Sequence, residues 1–118
     1  MATSVTESIL ASTKAALGIV PEYNAFDNQI ITYINTAFSI LHQLGVGPDE
    51  GFFIEDESAE WDDFIEGNKL LNMVRTYVHM QVRLMFDPPA NSFATTAMKE
   101  QMKELEWRIN VAVDPKAS

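Results

Sequence analysis

The sequence predicts an all-α protein, a small helical bundle of four main helices with a minor helix and a short extended loop or hairpin. Three observations predict it. Apolar residues recur at three- and four-residue spacings over four segments, and glycines or a proline pair stop those segments. The apolar run that breaks the helical pattern, Phe52-Phe53-Ile54, is too short to found a sheet. A chain of 118 residues, 47% hydrophobic and 21% charged, can close one core without disulfide or metal support, so a single domain over residues 1–118 is expected.

Ser4-Val5-Thr6-Glu7 fits a capping box, in which the Ser oxygen and the Glu carboxylate each satisfy a backbone N–H at a helix start. A first short helix then carries Ile9, Leu10, Ala16 and Leu17 and stops at Gly18, where a missing Cβ permits the left-handed conformation. Asn24, with Asp27 three residues on, marks the start of a long helix whose stripe of Ile30, Ile34, Phe38 and Leu41 ends at Gly45. Residues 46–51 are a turn or loop. Ser58 can cap a short acidic helix holding Trp61, Phe64 and Ile65, with Gly67 as its stop and Asn68 as the next cap; Trp61 is expected to anchor this segment to the body. From Leu70 to Phe86 apolar side chains occupy nearly the whole cylinder, which predicts a central helix ended by Asp87-Pro88-Pro89. Ser92 is expected to cap a last helix with Ala94, Met98, Met102, Leu105 and Ile109 on one face and Glu104 pairing Arg108 at i+4.

The absence of cysteine excludes disulfides, thiol catalysis and cysteine-ligated metals. No apolar stretch reaches the ~18 residues that a membrane span needs. Net charge is −9, and its distribution matters more than its sum. Asp49, Glu50, Glu55, Asp56, Glu57, Glu60, Asp62, Asp63 and Glu66 follow one another with no Lys or Arg between them, while the rest of the chain is balanced. Such a surface repels phosphate, and no basic stripe of the kind a DNA reader needs is present, so sequence-specific nucleic-acid binding is not expected.

Catalysis is not expected either. His42 and His79 have Ser39 and Thr76 three residues before them, so neither belongs to a Glu-x-x-His metal pattern. The run from Glu55 to Asp62 lacks the mid-loop glycine and alternating ligands of a calcium loop; a solvated acidic face is the simpler reading. No cofactor is implied. Arg75, His79 and Arg83 follow at four-residue spacing and form one narrow polar stripe on the fourth helical segment. It is either a solvated edge that pairs within the chain, or a face that meets the acidic segment of a neighbouring copy. The methionines are most simply core residues. Trp107, between Glu106 and Arg108, is either core or a partner contact.

At Val82-Arg83-Leu84-Met85-Phe86-Asp87-Pro88-Pro89 and Met102-Lys103-Glu104-Leu105-Glu106-Trp107-Arg108-Ile109-Asn110-Val111 the sequence resembles the small head-tail connector proteins (adaptor, or head-completion) of long-tailed bacteriophages. The likeness extends through Phe26-Asp27-Asn28-Gln29-Ile30-Ile31, Leu44-Gly45-Val46-Gly47-Pro48 and Trp61-Asp62-Asp63-Phe64-Ile65, roughly residues 9–113. The departures are the dense acidic insertion and the methionines.

The resemblance implies a non-catalytic helical subunit of a virion ring beneath the portal, continuing the DNA channel from capsid to tail. It implies as partners sibling copies, the portal protein and later head-completion or tail proteins, with DNA passing unread and with assembly in the host cytoplasm. Under it, Glu55, Asp56, Glu57, Asp62 and Asp63 are expected to face the channel, Arg75, His79 and Arg83 a neighbouring subunit, and Trp107 and Arg108 a partner. The competing reading is a monomeric or dimeric helical adaptor that binds a protein through its acidic face.

Overall fold

The computed structural model describes residues 8–65 and 70–113. Five helices follow in order: α1 (Ile9–Ala16), α2 (Asp27–Gln43), α3 (Trp61–Phe64), α4 (Leu70–Phe86) and α5 (Ser92–Val113). No strand forms among the described residues; a lone antiparallel bridge joins Ser8 to Glu60. The all-α expectation holds, and helix α4 occupies the centre, packed against α1, α2 and α5.

Its residues dictate that position. Val74, Tyr77, Val78 and Val82 are fully buried, and Leu70 nearly so, at spacings that bring them to one side of the cylinder. Facing them, α2 buries Ile30, Ile34, Ala37, Phe38 and Leu41. Burying one such side chain fully stabilises the fold by about 1.5–3 kcal/mol. Phe26, just before α2, meets Phe86 at the end of α4 with ring centroids 5.1 Å apart, so the two helices run antiparallel. Asp87-Pro88-Pro89 ends α4 as expected, and five residues later α5 returns along it. The Tyr77 hydroxyl, on a buried side chain of α4, donates to Glu106 Oε2 of α5 at 2.6 Å.

Several caps differ from expectation. The Ser4–Glu7 box lies outside the described residues, and α1 starts at Ile9, with the Ser8 hydroxyl accepting from Ala11 N–H at 3.2 Å. Neither Asn24 nor Asp27 caps α2. The cap position is Phe26, without a side-chain bond, while Asn24 and Asp27 turn to the buried Lys14, whose Nζ lies 2.9 Å from Asp27 Oδ1, 3.5 Å from Asn24 Oδ1 and 3.0 Å from the Pro21 carbonyl. Ser58 is not the cap of α3. Glu60 and Asp63 form a reciprocal capping box there, and Ser58 instead bonds Asp56. At α5 the cap is Asn91, whose Oδ1 accepts from Ala94 N–H at 2.7 Å, with Ser92 as the first helical residue. Gly67 and Asn68 lie outside the described residues. The expected stops at Gly18 and Gly45 are present, with φ of 80° and 91°.

The 44–60 connection is held by side chains rather than by strand pairing. Val46 and Ile54 are buried, and the Asn35 carboxamide of α2 bonds both backbone groups of Ile54, accepting at 2.7 Å and donating at 3.0 Å. One side chain thus supplies what a neighbouring strand would, which removes the need for the hairpin alternative. Gly47 lets this loop cross the ring of Phe64: a Cβ there would come within 2.5 Å of Phe64 Cε1, and its φ is 90°.

Candidate functional site

Trp61 is the anchor the sequence led us to expect. It is buried, its indole N–H donates to Ser12 Oγ of α1 at 2.9 Å, and its ring lies 6.2 Å from Phe38 and 5.9 Å from His79. Phe38, Phe52 and Phe64 complete the aromatic cluster beneath it. Two further ties bind α1 to the start of α3: Ile9 N–H donates to the Ala59 carbonyl at 3.0 Å, and the Ser8 hydroxyl donates to the Glu57 carbonyl at 2.8 Å. A rigid floor therefore carries the acidic segment.

On that floor the expected channel acids divide into two groups. Glu55, Asp56 and Glu57 are exposed on the bend before α3 and, with Asn24, Asp27, Asn28 and Ile31, line a shallow groove over the α1–α2 side. Asp56 accepts from the Ser58 hydroxyl and its backbone N–H, and these two bonds hold its carboxyl below the usual aspartate value. Asp62 and Asp63 are exposed on α3, where Asp63 accepts from Glu60 N–H at 2.8 Å. Among the described residues no group of three or more His, Asp or Glu is arranged to hold a metal, and no helix is long and apolar enough to cross a membrane.

The three members of the α4 stripe have different surroundings. The Arg75 guanidinium carbon lies 5.6 Å above the Trp61 ring, and Arg75 shares a small cleft with Glu60 and Asp62 of its own chain. His79 packs edge-on against Trp61, and its Nε2 is buried with no hydrogen-bond partner among the described residues. Burial, reinforced by the Arg75 charge, lowers its pKa to about 4, so the ring is neutral at pH 7. Arg83 is nearer the surface, and its Nε donates to the Asp87 carbonyl at 2.9 Å. The structure brings Arg75 and His79 together on Trp61 and leaves Arg83 one turn beyond His79, near the end of the helix.

On α5, Arg108 pairs Glu104 through two bonds of 2.9 and 2.7 Å, as the i+4 spacing led us to expect, and Trp107 is two-thirds exposed. Of the two readings left open for Trp107, core or partner contact, its exposure removes the core reading. Sequence reasoning missed other exposed aromatics, the most exposed of them Phe53 in the 44–60 loop and Phe93 in the first turn of α5. The signal for Phe53 was the alternation Phe52-Phe53-Ile54, which sends the middle residue outward when its neighbours turn in.

The model of the phage connector protein family matches residues 9–116. This chain belongs to that family. Searches among curated proteins and among solved structures give no match at the significance required. Membership carries a structural, connecting role in the phage particle, with contacts to other head and tail proteins.

Proposed function

We propose that the protein is a non-enzymatic subunit of a ring in the neck of the phage, joining the capsid portal to the tail and continuing the DNA channel. Its partners are copies of itself, the portal protein and downstream head-completion or tail proteins, and it assembles in the host cytoplasm. The observation that carries this reading, beside the family match, is the segregation of charge. The carboxylates from Asp49 to Asp63 follow one another in sequence with no Lys or Arg between them. The structure mounts them around the buried Trp61, where Arg75 of α4 shares a cleft with Glu60 and Asp62 while Glu55, Asp56 and Glu57 lie on the α1–α2 side. A wall of Glu55, Asp56, Glu57, Asp62 and Asp63 would hold passing phosphates off by like-charge repulsion within a Debye length of about 8 Å. DNA is then conducted without being read.

Arg75, His79 and Arg83 are proposed as part of a subunit contact. Arg83 is the member best placed for it, because Arg75 and His79 are packed against Trp61 of their own chain. Trp107 and Arg108 on the exposed side of α5 are proposed as a further partner contact.

The test is electron microscopy of lysates from a phage lacking this gene. DNA-filled or leaking heads that stay unjoined beside complete free tails are expected. Normal infectious particles would instead favour the acidic adaptor, which is absent from the virion.

A further inference from the structure

Helix α5 has two apolar stripes, and the bundle uses one. Met102 and Ile109 are buried and Met98 and Leu105 half-buried toward the body. On the opposite side Phe93, Trp107 and Val111 are 88, 67 and 52% exposed. Their separations, fourteen residues and then four, place all three on one side of a 3.6-residue helix. Beside Trp107, the side chains of Glu100, Gln101, Lys103 and Glu104 shape a concave surface.

Charge says what can cover this face. Among the described residues, Lys99 and Lys103 are the cations that no other group of the chain engages. Lys99 and Lys103 stand two turns and one turn before Trp107, and Arg108 answers the nearby Glu104, so the two lysines outnumber Glu100, the other carboxylate of that surface. The opposite combination occurs in the 44–60 loop. Phe53 is 65% exposed, preceded by Asp49 and Glu50, and followed by Glu55. Neither Phe53 nor Trp107 contacts another ring of its own chain. Two copies each carrying −9 repel one another in most orientations. The arrangement that sets the lysine-bearing side of the indole in one copy against the carboxylate-flanked phenyl of the next offsets part of that penalty and buries an aromatic anchor on each side.

We propose that the outer face of α5 receives the Phe53 loop of a second copy, Phe53 packing beside Trp107 while Lys99 and Lys103 face Asp49 and Glu50. Made once in each direction around the assembly rather than reciprocally between two copies, the contact is heterologous, and its repetition closes a ring where the rotation between neighbours closes. It rests on the ring reading and supplies that ring with a specific seam. Its charge pairs use Asp49 and Glu50; of the acids assigned above to the channel, Glu55 lies beside it without taking part in those pairs.

The chain has no cysteine, so a new pair reports one contact cleanly. Phage carrying both Glu50→Cys and Lys103→Cys, which keep Phe53 and Trp107 in place, would be purified, oxidised and run without reductant. A ladder of connector multimers, absent from either single variant, is expected. Connector present in the particles but wholly monomeric would overturn this seam and leave the ring reading standing; connector missing from wild-type particles would overturn both. Should the cysteine pair not be incorporated, charge exchange decides. Glu50→Lys or Lys103→Glu alone should lower particle yield at least tenfold, and the two together should restore it; no restoration overturns the seam.

Discussion

His79 shows how one side chain can belong to a polar pattern and still lose most of its water to a neighbouring ring. The four-residue spacing with Arg75 and Arg83 placed it correctly on a stripe, but spacing carries no information about what packs over a stripe. Trp61, eighteen residues earlier, covers this one, so the imidazole loses water and stays neutral. The folded pKa of about 4 lies below the ordinary histidine value of 6.5, so the unfolded chain takes up a proton first as the solution is acidified. The contribution of His79 is therefore undiminished above pH 6.5, declines between pH 6.5 and 4, and levels off below that. At pH 5 the loss is about 2 kcal/mol, from 1.36 kcal/mol per pH unit. Urea denaturation at pH 7 and pH 5 should show this difference in the wild type and a markedly smaller one in His79→Gln. Equal pH dependence in both would mean that another group is responsible.

Among the elements, those with strong periodicity were legible almost to the residue: the bounds of α4 and the stop of α2 follow directly from apolar spacing and from Asp87-Pro88-Pro89 and Gly45. The caps were less legible, because Ser, Asn and Asp occur close together near each helix start and the fold selects among them by tertiary contact. Asp27 is the clearest instance. Its carboxylate could have capped α2, but Lys14, only 3% exposed on α1, needs an anion, and Asp27 lies 2.9 Å from its ammonium. This pair joins α1 to the start of α2, with the Pro21 carbonyl as a second acceptor. Removing one partner of a buried pair strands the other. Lys14→Met should cost about 3 kcal/mol, the low end for such a break, since Asp27 keeps a quarter of its side chain in water. Adding Asp27→Asn should recover a good part of that loss, and chemical denaturation of the single and double variants would read both effects. A single variant as stable as the wild type would show the pair to be dispensable.

For the whole molecule, charge distribution was the feature the sequence displayed most openly, and what the sequence withheld was its shape. One acidic run becomes two groups of carboxylates, on the bend at Glu55–Glu57 and on α3 at Asp62 and Asp63, with the Trp61 floor between α1 and α4 beneath them. The molecule measures 45 × 41 × 24 Å, thin in one direction, so a lobe can occupy an edge while helical faces remain open for neighbours. Two roles compete for these acids, and they respond oppositely to charge changes. If the acids line the channel, replacing Asp56, Glu57, Asp62 and Asp63 by their amides should leave ring assembly intact and slow DNA ejection, because phosphate is no longer held off the wall. If they meet Arg83 of the next subunit, Arg83→Glu should reduce assembly and a matching reversal to lysine in the acidic segment should restore it. Ejection kinetics, followed by release of a DNA-binding dye from particles of each variant, separate the two. Unchanged ejection in the amide variant removes the channel role, and failure of any reversal to rescue Arg83→Glu removes the contact.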